Sequence, residues 1–106
     1  MDSFFLESVC IKHLYLSDNG FSDKAGTKLA RAFCANRSLS SVDLRYNNLS
    51  EKTGILLKPA CKMNARLIKI QLEFNVCRIK VIEELNELTK ANIKRLEQRK
   101  HRDIKN

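Results

Sequence analysis

Tryptophan is absent from this chain, and proline, histidine and glycine are scarce, at one, two and three among 106 residues. Three scattered glycines cannot build the Gly-rich loop that cradles a phosphate. His13 falls in a strand-like segment and His101 in a charged tail, so no histidine has a companion for acid–base or nucleophilic chemistry. Glu83 and Glu87 stand four apart on a helical segment, where they read as a solvated face, and a carboxylate pair without a pocket is not a site. Cys10, Cys34, Cys61 and Cys77 offer no C-x-x-C spacing for zinc or redox work. No stretch approaches the ~18 consecutive apolar residues of a membrane span. The start, MDSFFLESV, lacks the positive region of a signal peptide. No catalytic residue, metal site or cofactor is expected.

What the chain does have is a period. A step of 28 residues separates Asn19, Asn47 and Asn75, then Leu29, Leu57 and Leu85, then Leu14, Val42 and Ile70. The same step relates Ile11, Leu39 and Leu67, then Leu16, Leu44 and Leu72, then Asn36, Asn64 and Asn92. Columns in register over this distance mean one supersecondary unit stacked on copies of itself. Each unit opens with the order apolar-x-x-apolar-x-apolar-x-x-Asn, seen as IKHLYLSDN, LSSVDLRYN and LIKIQLEFN. Alternation around Leu14 and Leu16 marks a short strand with one face buried. The asparagine turns the chain, and Leu29 with Phe33, like Leu57 with Cys61, then takes helical spacing.

Strand, turn and helix in 28 residues resemble the leucine-rich repeat family, and the full helix is similar to its ribonuclease-inhibitor-like subclass. The resemblance covers about residues 4–96. It implies an α/β solenoid, with parallel strands on a concave face and helices on a convex one. A helix is also the usual crossover between parallel strands. Asn19, Asn47 and Asn75 would form a ladder, their amides bonding the backbone of the turns; ordinary turn asparagines are the alternative. Two positions depart from the pattern. Ile82 stands where Gly26 and Gly54 do, which predicts a different turn into the third helix. Pro59 inside the second helix predicts a kink or an early loosening of its last turn.

The register divides the chain into a remnant of a preceding repeat (1–10), repeats at 11–38, 39–66 and 67–92, and a basic helical extension (93–106). Phe4, Phe5, Leu6 and Val9 are left to shield the first strand, whose open edge is a hazard. Either the chain is a piece of a longer array, or that edge docks on another subunit. Cys61 shares the column of the core residue Phe33, and Cys77 that of Phe21 and Leu49. Extracellular members of the family usually carry disulfide-bonded caps, absent here. The cysteines therefore read as reduced core and near-core residues, in cytoplasm or another reducing compartment.

Lys and Arg number 20 against 12 Asp and Glu, a net charge of +8, and residues 90–106 supply five of those charges. From about Ile79 to Asp103 no glycine or proline interrupts, which predicts one long C-terminal helix. Its end carries Lys94, Arg95, Arg99, Lys100 and Arg102. A solvated cap is one reading of this end, its cations complementing the helix dipole. An acidic protein surface, such as tubulin, is another; nucleic acid or an anionic membrane is the third. The tail has no aromatic for stacking on bases, and Ile93, Leu96 and Ile104 are too few to hold a membrane.

The second candidate surface is the strand face that alternates with the buried one. Tyr15, Asp43 and Gln71 form one row; Arg45 and Glu73, with Ser17, a second; Tyr46 and Phe74, with Asp18, a third. Strands ~4.8 Å apart would let Arg45 pair with Glu73, and Tyr46 beside Phe74 gives an aromatic anchor next to charge. Ordinary exposed strand residues are the alternative. Together these features predict a non-catalytic protein-interaction module, a scaffold or adaptor in an intracellular assembly. The basic tail tilts that reading towards the cytoskeleton, including microtubules and the axoneme of the cilium. A basic nucleic-acid-binding accessory protein is the alternative function.

Overall fold

In the computed structural model of the chain, residues 11–105 are described, with side chains as far as 102. The remnant expected at 1–10, including Cys10 and the four apolar residues that would shield the first strand, lies outside the described residues. Strands and helices alternate: β1 (His13–Tyr15), α1 (Asp23–Ala35), β2 (Ser41–Asp43), α2 (Glu51–Met63), β3 (Lys69–Gln71) and α3 (Ile79–Lys105). The strands form one parallel sheet in chain order. His13, Ser41 and Lys69 lie in register, as do Leu14, Val42 and Ile70 and then Tyr15, Asp43 and Gln71. Every strand partner is therefore 28 residues away. Each strand is only three residues long, but pairing runs on: Leu16 N–H donates to the Asp43 carbonyl at 2.8 Å and Leu44 N–H to that of Gln71 at 2.9 Å.

Alternation along the strands and the 3.6-residue period of the helices bring the apolar columns together. Leu39, Val42, Leu44, Leu57, Leu67, Leu72 and Leu85 are all buried, in one core cluster with Phe33. Their counterparts in the first unit, Ile11, Leu14 and Leu16, are only partly buried against this core. Cys61 and Cys77 are buried and free, and burial pushes the Cys61 thiol up to about 11. A group so hard to ionise is packing material.

Two sets of asparagine amides stitch unit to unit. Asn47 Nδ2 donates to the carbonyls of Leu16 and Leu44, at 2.9 and 3.0 Å, while its Oδ1 accepts from the N–H groups of Asn19 and Phe21. Asn75 repeats this one unit later, donating to Leu44 and Leu72 and accepting from Leu49 N–H. Among the described residues the Asn19 side chain bonds only Ser17, two residues away. The ladder expected from the sequence is present, and among the described residues its inter-unit bonds are made by the side chains of Asn47 and Asn75.

The second set is deeper. Asn36 and Asn64 cap the ends of α1 and α2, and Asn36 Oδ1 accepts from Ser38 and Leu39 N–H at 2.8 and 2.7 Å. Asn92, in the same column, lies inside α3 and donates to the carbonyls of Cys61, Asn64 and Leu67. Its Oδ1 is buried without a partner among the described residues. The N–H groups that would serve it stay in the ladder of a helix that does not stop, and such an orphan costs about 1–3 kcal/mol.

The glycine column has a different cause from the one the sequence suggested. Gly26 and Gly54 are not turn residues; both sit in the first turns of helices. A Cβ on Gly26 would meet Thr53 Oγ1 at 2.2 Å, and one on Gly54 would meet Val81 Cγ1 at 2.5 Å. Each glycine lets the next helix approach. Among the described residues no helix follows α3, so Ile82 has space for its side chain. The early loosening expected at Pro59 does not occur: α2 runs on to Met63, and at 13 residues matches α1. α3 is 27 residues long, a rod of roughly 40 Å.

Leu44 is fully buried. Leu44→Ala is expected to lower stability by about 2–5 kcal/mol in urea unfolding, with the exposed Lys52→Ala as the reference. Equal midpoints for the two variants would contradict the packing described.

Candidate interaction surface

The strand face owes its geometry to the residue before each ladder asparagine. Asp18, Tyr46 and Phe74 have φ of 55°, 58° and 62°, the left-handed region that costs a residue with a Cβ about 1–2 kcal/mol. The three occupy one column, so the turn into the asparagine imposes the conformation and the amide bonds hold it. At two of the three places the strained residue is aromatic. Neighbouring units sit one strand spacing apart, and the Tyr46 and Phe74 rings stack with centroids 4.5 Å apart and planes 4° from parallel. Tyr46 remains 54% exposed and Phe74 64%. The sequence placed these rings side by side; their parallel stacking and positive φ were not legible in it.

Arg45 pairs directly with Asp43, not with Glu73. Its Nε and Nη2 donate to the two carboxylate oxygens of Asp43 at 3.0 and 2.9 Å. Residues two apart on a strand share a face, and this local fork wins over the cross-strand pair that the spacing suggested. Arg45's hydrogen bonds hold the Asp43 carboxyl below its ordinary value, against burial that would raise it. Asp43 is thereby only 7% exposed and presents little of itself. Glu73 is left without an ion pair among the described residues. Tyr15, 75% exposed, stands in register with Asp43, and Gln71 beyond it is half-buried. His13 Nδ1 and Ser41 Oγ meet at 2.6 Å at the near end of the row.

A second carboxylate, Asp23, ties the first two units together. It accepts from Ser50 N–H and Oγ and from Thr53 Oγ1, at 3.0, 2.5 and 2.7 Å. Those bonds, the Ser50 hydroxyl first, lower its pKa. On the helix side, Arg78 pairs with Glu51 at 2.8 Å, and Lys58 with Glu84 across α2 and α3.

The basic end of α3 splits into two faces. Arg99 and Lys100 line a cavity of about 550 Å³ with Lys12, Ser38, Ser40 and Arg66. Leu96 and Ile68 also line it. Lys94 and Arg102 line a separate concavity with Glu97, Gln98 and His101, and Arg95 is exposed. The tail lies beside the repeats: its apolar Leu96 shares this lining with Ile68 and the loops that lead into the strands. Sequence reading missed Lys12 and Arg66, whose meeting with the tail depends on the course of α3 beyond Asn92. Among the described residues no group of His, Cys, Asp and Glu could hold a metal ion, and no helix is long and apolar enough to cross a membrane.

Depressed carboxyl values give an acid limb. Asp23 and Asp43 contribute stability above the ordinary aspartate value of 3.8, and lose it as pH falls through their lowered values. Urea midpoints measured from pH about 5 down to about 2 are expected to fall less steeply in Asp23→Asn/Asp43→Asn than in the unmodified chain. Parallel curves would show that neither carboxylate is held.

A family model described as Leucine Rich repeat matches residues 7–30 and 35–52. No curated protein matches the sequence. Among solved structures the chain is similar to "Leiomodin-1 Actin-Binding Site 2 (ABS2)", with a TM-score of 0.70 and 16% identity, over 97% of this chain and 76% of that one. At that identity the likeness speaks for the fold. Family match, repeated unit and shared fold together support a leucine-rich repeat family for this chain.

Proposed function

We propose that this chain is a non-catalytic protein-interaction module, a leucine-rich-repeat solenoid of the ribonuclease-inhibitor-like subclass. Its repeats are 11–38, 39–66 and 67–92, the sheet forms the concave face, the helices the convex one, and 93–106 is a basic extension. The observation that carries the reading is the stacked, exposed Tyr46–Phe74 pair. The turn holds both rings in place on backbone fixed by the amide ladder, so they are presented to a partner already ordered. Flat aromatic surface beside an arginine is the composition of binding hot spots. Tyr15, Gln71 and Glu73 extend the surface, and Arg45, fixed by Asp43, supplies its charge.

The partner is a protein of the cytoskeleton, and the role that of a scaffold or adaptor within a larger intracellular assembly. Support comes from the fold shared with a structure titled an actin-binding site and from the cationic tail. Lys94, Arg95, Arg99, Lys100 and Arg102 would draw an acidic partner surface and speed encounter. Actin is the first partner to assay and tubulin the second, with an axonemal setting as a narrower form of the second.

Co-sedimentation with actin filaments and with microtubules tests this. Tyr46→Ala/Phe74→Ala is expected to weaken binding to one of them by about 2 kcal/mol or more, and rising salt to weaken it further. Binding to one polymer that is unchanged in the aromatic variant would place the contact elsewhere. No binding to either would contradict the cytoskeletal reading.

A further inference from the structure

We propose that the cavity between the end of α3 and the loops leading into the strands binds a compact organic polyphosphate, of the kind carried by inositol phosphates. Four cations from three separate stretches of chain, Lys12, Arg66, Arg99 and Lys100, line this one cavity. No carboxylate is among its lining residues. None of the four has an ion-pair partner among the described residues. Gathering like charges with no counter-charge among the described residues is unfavourable in the empty state, and a bound polyanion removes that repulsion.

Several features narrow the ligand. At about 550 Å³ the space has the size of a small-molecule site. Phosphate brings close to two charges and three acceptor oxygens per group, which suits guanidinium forks better than a single carboxylate does. The Ser38 hydroxyl is directed at the Ile11 carbonyl and Asn36 Oδ1, at 3.0 and 3.1 Å, and Ser40 adds a hydroxyl to the lining. The lining has no aromatic for a base to stack on, so single-stranded nucleic acid fits less well. Cations placed around a cavity, rather than along a line, favour a compact anion over an extended acidic peptide. This site is separate from the aromatic surface and does not depend on it.

Titration calorimetry of the full chain with inositol hexakisphosphate at physiological salt tests the proposal. Binding is expected, with a raised unfolding temperature on saturation. Arg66→Gln and Arg99→Gln, both exposed positions, should each weaken it about tenfold, with circular dichroism unchanged. Lys94→Gln/Arg102→Gln and Tyr46→Ala/Phe74→Ala should leave it unchanged. Phosphatidylcholine vesicles containing phosphatidylinositol bisphosphate form the second arm. Capture that depends on Arg66 and Arg99 makes the source a lipid headgroup, and its absence alongside hexakisphosphate binding makes it a free polyphosphate. The proposal is overturned by no binding of hexakisphosphate at millimolar concentration, or by equal loss in Lys94→Gln/Arg102→Gln. It is also overturned if a glutamate-rich peptide or a single-stranded oligonucleotide competes as strongly, or if vesicle capture is indifferent to Arg66 and Arg99.

Discussion

A buried side-chain amide must have partners, and in this chain meeting that demand decides how one unit meets the next. Asn47 and Asn75 each reach back to a carbonyl 31 residues earlier and accept N–H groups from the preceding turn. Register follows, because a slip by one residue would strand both the amides and the apolar columns on the wrong face. Deeper in the stack, Asn64 donates to Leu39 at the start of its own unit, and Asn92 reaches back to the Cys61 and Asn64 carbonyls of the unit before it. Strands of three residues would pair weakly by themselves; fixed turns on either side make them sufficient.

The candidate surface is a by-product of the same constraint. A turn that presents its asparagine inward forces the preceding residue to positive φ, and that residue then projects outward. Where it is aspartate, as at Asp18, nothing is gained. Where it is tyrosine and then phenylalanine, the unit spacing makes a stack of two exposed rings. Tyr46 and Phe74 are thus held by backbone geometry, and a rigid aromatic surface loses little entropy when a partner covers it. The Asp43–Arg45 fork beside it is equally fixed, so charge and ring are presented together.

Sequence made some of this legible and left the rest unread for definable reasons. Strand register, the buried columns and the reduced core cysteines could be read because burial imposes periodicity, and periodicity survives in one dimension. Gly26 and Gly54 were visible as a column but not as helix–helix contacts, since the neighbour they admit lies about one unit away. Arg45 had two carboxylates in reach, and only side-chain geometry chose Asp43 over Glu73. The cavity that gathers Lys12 and Arg66 with Arg99 and Lys100 was invisible, because no period relates the tail to the loops it meets. Asn92 shows the limit well: a column member by sequence, it sits in a helix that runs on and keeps one acceptor unbonded.

The claim that inter-unit amides hold this molecule together is tested most directly by comparing Asn47→Ala with Asn19→Ala in urea unfolding. The two residues share a column, yet the Asn47 side chain bridges two units and that of Asn19, among the described residues, bonds only Ser17. The account predicts a loss on the order of 2–4 kcal/mol for Asn47→Ala, several buried or half-buried backbone groups being left unpaired, and a loss several-fold smaller for Asn19→Ala. Equal losses from the two substitutions would contradict it.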